Sequence, residues 1–275
     1  MHNQIINILK KYTKHENIEL TSRGNTAIFA SLYIARKINQ KKKTVLIPDQ
    51  GGWLTYKKYP KMLELNLIEL KTNKGLIEPE VLKQTLKDYD VNCLLYENPA
   101  GYFADQNIKE IYEICKDKCS VILDASGCIS NPDMCNGDYA DFIIGSFGKW
   151  KPVWVEYGGF VSIKNKDHYL FANEIFNTTA FDEKYYKELL TKLKEVPKRL
   201  EKLNKISKQI KLDLKDKKII HQNKDGICVV IAFENNNEKQ EIIDYCEKHK
   251  YEYTSCPRYI RIMQDAISIE VKRLR

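Results

Sequence analysis

The sequence predicts an α/β fold: a large domain whose mostly parallel sheet lies between helices, followed by a small α+β domain. Three observations predict it. Short apolar runs alternate with amphipathic stretches through the first two-thirds of the chain. The runs TVLIP (44–48), NCLLYE (92–97) and CSVILD (119–124) are apolar along their whole middle, the pattern of strands buried on both faces. After about residue 164 the texture changes to a lysine-rich helical stretch and then a shorter strand–helix pattern. The expected boundary separates residues 1–183 from residues 184–275.

The elements follow in order. MHNQIINILKKYTKHENIEL (1–20) reads as a lysine-rich amphipathic helix without the apolar centre of a signal peptide. TAIFASLYIAR (26–36) has apolar residues at helical spacing. TVLIP is a strand ended by Pro48, and LTYKKYPKML (54–63) is helix-like with Pro60 expected to interrupt it. NLIEL (66–70) is a strand, 77–89 a helix with an acidic start, 92–97 a strand, 108–118 a helix and 119–124 a strand. DFIIGSF (141–147) and GGFVSI (158–163) are further strands. From 184 to 218, Leu189, Leu193, Val196, Leu200, Leu203, Ile206 and Ile210 form one stripe, predicting a long helix bent at Pro197. GICVVIAF (226–233), a helix over 238–250 and a strand YIRIM (259–263) complete the small domain.

Composition narrows the class. The 275 residues carry a net charge of +8, with 43% hydrophobic and 30% charged residues. That is the balance of a protein with an ordinary buried core, and no run reaches the roughly 20 apolar residues of a membrane span. The lysines are interleaved with acids, so a solvated surface is expected and nucleic-acid binding is not; a positive excess also suits phosphorylated ligands. The eight cysteines form no CxxC pair. Reduced thiols and a cytoplasmic location are therefore expected, with no metal: the spacings of Cys115, Cys119, Cys128 and Cys135 match no common zinc pattern.

The chemistry-bearing residues fall at strand ends. Asp124 closes VILD, and Lys149 and Lys151 follow FIIGSF and precede Gly158-Gly159. Ligands of such sheets sit beyond the carboxyl ends of the strands. A carboxylate and an amine delivered to that edge can hold an electron-sink aldehyde such as pyridoxal phosphate (PLP): the carboxylate keeps the ring nitrogen protonated and the amine forms an imine. Gly24, Asn25 and Thr26 open the first long helix, whose free N–H groups suit a phosphate; Ser146 is a second phosphate ligand by position. Trp53 lies after a strand end, where an indole can stack on a planar ring. Ser126 can add a hydrogen bond near Asp124. Arg258 and Arg261 flank Tyr259-Ile260 in the expected late strand, and either guanidinium suits a substrate carboxylate.

Together these residues resemble the fold-type I PLP-dependent enzymes, the aspartate aminotransferase superfamily. SRGNTAI resembles the phosphate-binding turn, VLIPDQGGWLTY the segment with the ring-stacking aromatic, and NPAGYFADQNIKEIYEIC the stretch before the Asp strand. VILDASG resembles the segment of the pyridine-nitrogen Asp, and GSFGKWKPVWVEYGGFVS the imine-forming segment. The resemblance covers about residues 20–165 well and the rest loosely. Its nearest branch is the DegT/StrS-like aminotransferases, where the lysine lies five residues after the Ser and seven before the Gly pair, which gives Lys151; the cysteine-desulfurase-like spacing gives Lys149. Lys151 is preferred. The chain is shorter than typical members, and Gly127 stands where they often carry Gln.

What the resemblance implies is a PLP-dependent aminotransferase, usually a homodimer, passing an amino group from a small amino donor to a keto sugar or small keto acid. The alternatives are a PLP-dependent lyase or cysteine desulfurase, for which Cys128 lies nearest the cofactor segment, and a non-catalytic PLP-fold or basic nucleic-acid-binding protein.

Overall fold

Strand order places the expected edge. In the computed structural model, which describes the backbone of residues 1–275 and every side chain except those of residues 173 and 174, the chain runs α1 (His2–Thr13), β1 (Asn17–Thr21), α2 (Gly24–Ile38), β2 (Thr44–Pro48), α3 (Tyr59–Met62) and β3 (Asn66–Leu70). It continues α4 (Pro79–Asp88), β4 (Val91–Glu97), α5 (Ile108–Cys115), β5 (Ser120–Asp124), β6 (Phe142–Ser146), β7 (Gly159–Ile163), α6 (Lys166–Leu170) and α7 (Asn173–Thr178). The long α8 (Tyr186–Asp213) then leads to β8 (Lys218–Ile219), β9 (Val229–Ala232), α9 (Asn236–Lys248), β10 (Tyr253–Cys256) and β11 (Ala266–Ile269).

Seven strands form one sheet in the order β1-β7-β6-β5-β4-β2-β3, parallel from β6 to β3, with β7 antiparallel to both neighbours. The apolar strands bury both faces by alternation. Cys93 and Leu95 of β4 join Ala27, Ile28, Leu32 and Ile34 of α2 on one side. Leu94 and Tyr96 join Leu9 of α1 and Leu193 and Leu200 of α8 on the other. A second, antiparallel sheet, β10-β11-β9-β8, packs with this latter core.

Several expectations need correction. Residues 17–20 leave the N-terminal helix and form the edge strand β1, paired to β7 from Asn17↔Ile163 to Thr21↔Gly159; its alternating polar residues suit an edge better than a helix face. Pro60 does not interrupt a helix. It sits in the first turn of α3, where its missing N–H costs nothing, after a separate 3₁₀ turn at Leu54–Lys57. Tyr259–Met263 is a tight turn rather than a strand, with Arg261 N–H bonded to the Arg258 carbonyl at 2.8 Å. The strands lie on either side of it, at β10 and β11.

Pro197 lies inside α8, which runs through it as one helix. Proline has no N–H to give the carbonyl four residues earlier, Leu193. The Tyr12 hydroxyl of α1 donates to that carbonyl at 2.9 Å instead. A residue that costs helix stability thereby becomes a docking point between α1 and α8. Tyr12→Phe is expected to lower unfolding free energy by about 1 kcal/mol, the typical value of one such bond. In a Pro197→Ala background, where residue 197 supplies the N–H, the same change should cost markedly less. A urea-denaturation double-mutant cycle with additive effects would refute this account.

Candidate functional site

The carboxyl ends of β4, β5 and β6 converge under the N-terminus of α2. Asp124 is the last residue of β5 and is 4% exposed. Its carboxylate accepts the Tyr56 hydroxyl at 2.7 Å and the Ser126 N–H at 3.0 Å. Lys151 follows β6 and is 7% exposed, while Lys149, two residues earlier, is exposed, its amine 4.7 Å from the ring centre of Trp150. Asp124 and Lys151 line one cavity with Gly24, Asn25, Trp53, Ser126 and Ser146.

Each wall has a local cause. No side chain caps the N-terminus of α2, so its first N–H groups and positive dipole end face the cavity's Gly24 and Ser146. Gly24 is there for lack of room: a Cβ would stand 2.5 Å from the Cβ of Ser146. Ser146 is fixed in turn, its N–H donating to the Ser126 hydroxyl at 2.9 Å and its own hydroxyl accepting from Gly148 N–H at 3.2 Å. Trp53 donates from its indole N–H to Asn25 Oδ1 at 2.9 Å, which fixes the ring plane. The Lys151 amine lies between two aromatic faces, 4.7 Å from the centre of Trp53 and 4.5 Å from that of Tyr102. It also donates a hydrogen bond to the Tyr102 hydroxyl.

The electrostatics follow from burial. Desolvation holds the Lys151 amine below the ordinary lysine range, opposed by the charges of Glu97 and Asp124. Glu97 ends β4 beside Asp124, its register partner, and is 1% exposed. Burial first, then the Asp124 charge, pushes Glu97 up to about 7, against the pull of Lys151. Neither Glu97 oxygen meets a donor in full hydrogen-bond geometry among the described residues; the Tyr102 hydroxyl is the donor that reaches toward it and draws its pKa back down. Burial and then the positive charges of Arg261 and Lys151 bring the Lys272 amine down to about 7, with its nitrogen 4.2 Å from the Tyr102 ring centre.

Four expected residues stand apart from the cavity lining. Thr26 turns toward Ser22, the two hydroxyl oxygens 3.5 Å apart. Lys149 and Arg258 are exposed. Arg261 is 1% exposed, and its guanidinium is spent on Glu270, Nη2 to Oε2 at 2.6 Å and Nε to Oε1 at 3.1 Å. Its fork is filled by a carboxylate of this chain, which corrects the expectation of a free carboxylate clamp. Cys128 is 1% exposed, its thiol bonded to the Asn98 carbonyl and pushed well up by burial. Such a thiol is not the mobile nucleophile that sulfur transfer needs. The other seven cysteines are also buried and free. Among the described residues no group of three or more His, Cys, Asp or Glu side chains is placed to hold a metal, and no helix is long and apolar enough to cross a membrane.

Sequence reasoning missed Tyr56, Glu97, Tyr102 and Lys272. Glu97 carried one usable signal, a carboxylate at the end of an apolar strand, the same signal that marked Asp124.

The geometry has relatives among solved structures. Alanine–glyoxylate aminotransferase from Nostoc sp. superposes with a TM-score of 0.75 at 13% identity, over 98% of this chain and 80% of that one. L-threonine transaldolase from Pseudomonas fluorescens, in its internal aldimine state, gives 0.73 at 13% identity over 99% of this chain. This chain spans 66% of that enzyme, just under two-thirds of its length. SPT with a PLP internal aldimine gives 0.71 at 11% identity, over 98% and 71% of the two chains. At these identities the shared property is the fold, that of the PLP-dependent transferases. Residues 197–275 match the MJ1341 family C-terminal domain. No curated protein matches the chain in sequence.

The Glu97 shift has a consequence for stability. A carboxyl raised from 4.5 to about 7 binds its proton more tightly folded than unfolded. Its contribution is therefore fully present below pH 4.5 and is lost as pH rises through about 7. Glu97→Gln keeps the neutral shape and removes the titration. It is expected to match wild type near about pH 4 and to exceed it in stability near about pH 8. Equal urea midpoints at both pH values would contradict this reading.

Proposed function

We propose that this chain is a PLP-dependent transferase in which Lys151 is the attachment point of the cofactor, and that it acts as an aminotransferase from a small amino donor to a keto sugar or small keto acid. One observation carries the reading: Asp124 and Lys151, from the ends of successive strands, line one cavity at the uncapped N-terminus of a 15-residue helix. The donor set suits the group. There is a crowded glycine and a serine for a phosphate, a buried carboxylate for a ring nitrogen, a buried amine for an aldehyde and a fixed indole for a ring face.

Bound there, PLP supplies an electron sink for the bonds at an amino acid's Cα. The chain's own residues do the rest. Gly24, the α2 N-terminus and Ser146 bind the phosphate through N–H and O–H donors. Asp124, oriented by Tyr56 and Ser126, holds a proton on the ring nitrogen. Trp53, fixed by Asn25, orients the ring plane. Lys151 would meet the aldehyde as the neutral amine that its burial favours, and its Nζ can take up or give a proton as a base or acid. Arg258, exposed, is the guanidinium of the pair left available for a substrate carboxylate. A homodimer, as in the family the sequence resembles, belongs to the same reading.

Two experiments test it. Purified protein with added PLP should gain a visible absorbance that borohydride fixes as a stable mass increment on Lys151. Lys151→Ala should abolish the increment and Lys149→Ala should leave it; the reverse pattern would move the attachment point to Lys149. An amino donor screened against that absorbance should convert it, and failure with every common donor would remove transamination. Gly24→Ala, whose new Cβ meets Ser146, should weaken PLP binding about tenfold or more, roughly 1.4 kcal/mol, while free pyridoxal, lacking the phosphate, should lose far less.

A further inference from the structure

Lys151 must shed a proton before it can attack a carbonyl, and its surroundings restrict where that proton goes. The amine is 7% exposed, so bulk water does not solvate it freely. Among the described residues its one hydrogen-bond partner is the Tyr102 hydroxyl. Asp124 is occupied by Tyr56 and Ser126. Arg261 and Glu270 neutralise each other. Glu97 remains: 1% exposed, adjacent to Asp124 across the β4–β5 pairing, with the Tyr102 hydroxyl as the donor that reaches toward its oxygens among the described residues. A buried carboxylate so weakly satisfied costs free energy, and that cost falls when it takes up a proton.

The geometry points to Glu97 as the proton partner of Lys151, reached through the Tyr102 hydroxyl. The Lys151 ammonium gives a proton to Tyr102 Oη while Tyr102 gives its own to a Glu97 oxygen. One N–H bond breaks, one O–H bond forms on Glu97, and the phenol ends as it began. An ammonium–carboxylate pair becomes an amine–carboxylic acid pair with no change in total charge, which suits a site where separate charges are costly. Burial moves the two groups toward each other, Lys151 down and Glu97 up to about 7. Tyr102 is held for this position: its φ is 67°, a left-handed conformation unusual for tyrosine, and its carbonyl accepts the N–H groups of Ile227 and Cys228 at 2.8 and 2.9 Å. The other ionisable groups nearby include Tyr56, Asp124, Cys128, Cys228, Tyr259, Arg261, Glu270 and Lys272.

This inference rests on Lys151 being the reacting amine, yet its test needs no cofactor. A pair that shares one proton keeps a constant fraction of neutral amine between its two macroscopic ionisations. An independent lysine gains neutral amine about tenfold per pH unit below its pKa. Apo-protein is pulsed with formaldehyde and cyanoborohydride between about pH 6 and about pH 8, a window chosen to bracket the shared proton. Methylation of Lys151 and of exposed Lys149 is then read from fragment-ion mass spectra. In wild type the Lys151:Lys149 ratio should fall about tenfold per pH unit, because Lys149 climbs and Lys151 stays level. Glu97→Gln should make the ratio level, and Glu97→Asp should restore the fall. Wild-type Lys151 climbing in step with Lys149, or a Glu97→Gln protein that keeps the wild-type fall, would overturn the proposal. If Glu97→Gln does not fold, Tyr102→Phe, which removes the relay hydroxyl and keeps the ring, should likewise make the ratio level, and a Tyr102→Phe protein that keeps the wild-type fall would overturn the proposal. PLP capture is scored separately: a falling ratio without capture keeps the proton pair and removes the proposed function, whereas capture on Lys151 with a level wild-type ratio does the reverse.

Discussion

Burying an amine and two carboxylates within one strand-end rim is the constraint around which this fold is arranged. An isolated buried charge costs many kcal/mol unless it is paired or neutralised. Asp124 is satisfied by two donors, Lys151 by a phenol and two aromatic faces, and Glu97, among the described residues, only weakly by the same phenol. Sheet topology makes the gathering possible. The parallel neighbours β4 and β5 end together, with β6 running on past them to Ser146, so residues 27 positions apart in sequence, Glu97 and Asp124, stand side by side. The N-terminus of α2 then lies over the same rim, and the site needs no long loop to close it.

Much of this was legible because it was written in local pattern. The strands at 44–48 and 66–70 appear with the expected limits, since a short apolar run bounded by polar residues has little freedom to shift. Asp124 stood out as a charge closing an apolar strand. Lys149 and Lys151 did not separate in the sequence, because both follow the same strand, and the difference between them is one of direction: Lys151 turns in to Tyr102 while Lys149 stacks on Trp150 outside. Burial of a side chain in a loop is set by tertiary contacts, which carry no local period.

The misses have the same origin. Tyr259–Met263 has the alternation of a strand but makes a turn, because Arg261 must enter the core to meet Glu270. Its apolar neighbours are there to surround that ion pair. The partner of a buried arginine lies nine residues away on β11's continuation, a separation to which strand or helix periodicity is blind. β1 was absorbed into the preceding helix because an edge strand of five residues with alternating polarity is compatible with either.

The C-terminal segment is part of the site rather than an appendage to it. Gly51 N–H donates to the Tyr259 carbonyl at 2.7 Å, and the Tyr259 hydroxyl to the Pro48 carbonyl at 3.0 Å, tying the end of β2 to the turn before β11. Ile227 and Cys228 fasten Tyr102, and Lys272 and Arg261 bring two cations to its ring, Arg261 with its guanidinium carbon 5.3 Å from the centre. A left-handed backbone at a tyrosine costs on the order of 1 kcal/mol or more, and the two N–H bonds to its carbonyl offset that cost only while the C-terminal sheet is docked. The phenol that touches Lys151 is therefore placed by residues more than a hundred positions downstream. The large sheet supplies the carboxylates and the amine, and the small sheet sets the position of the group between them.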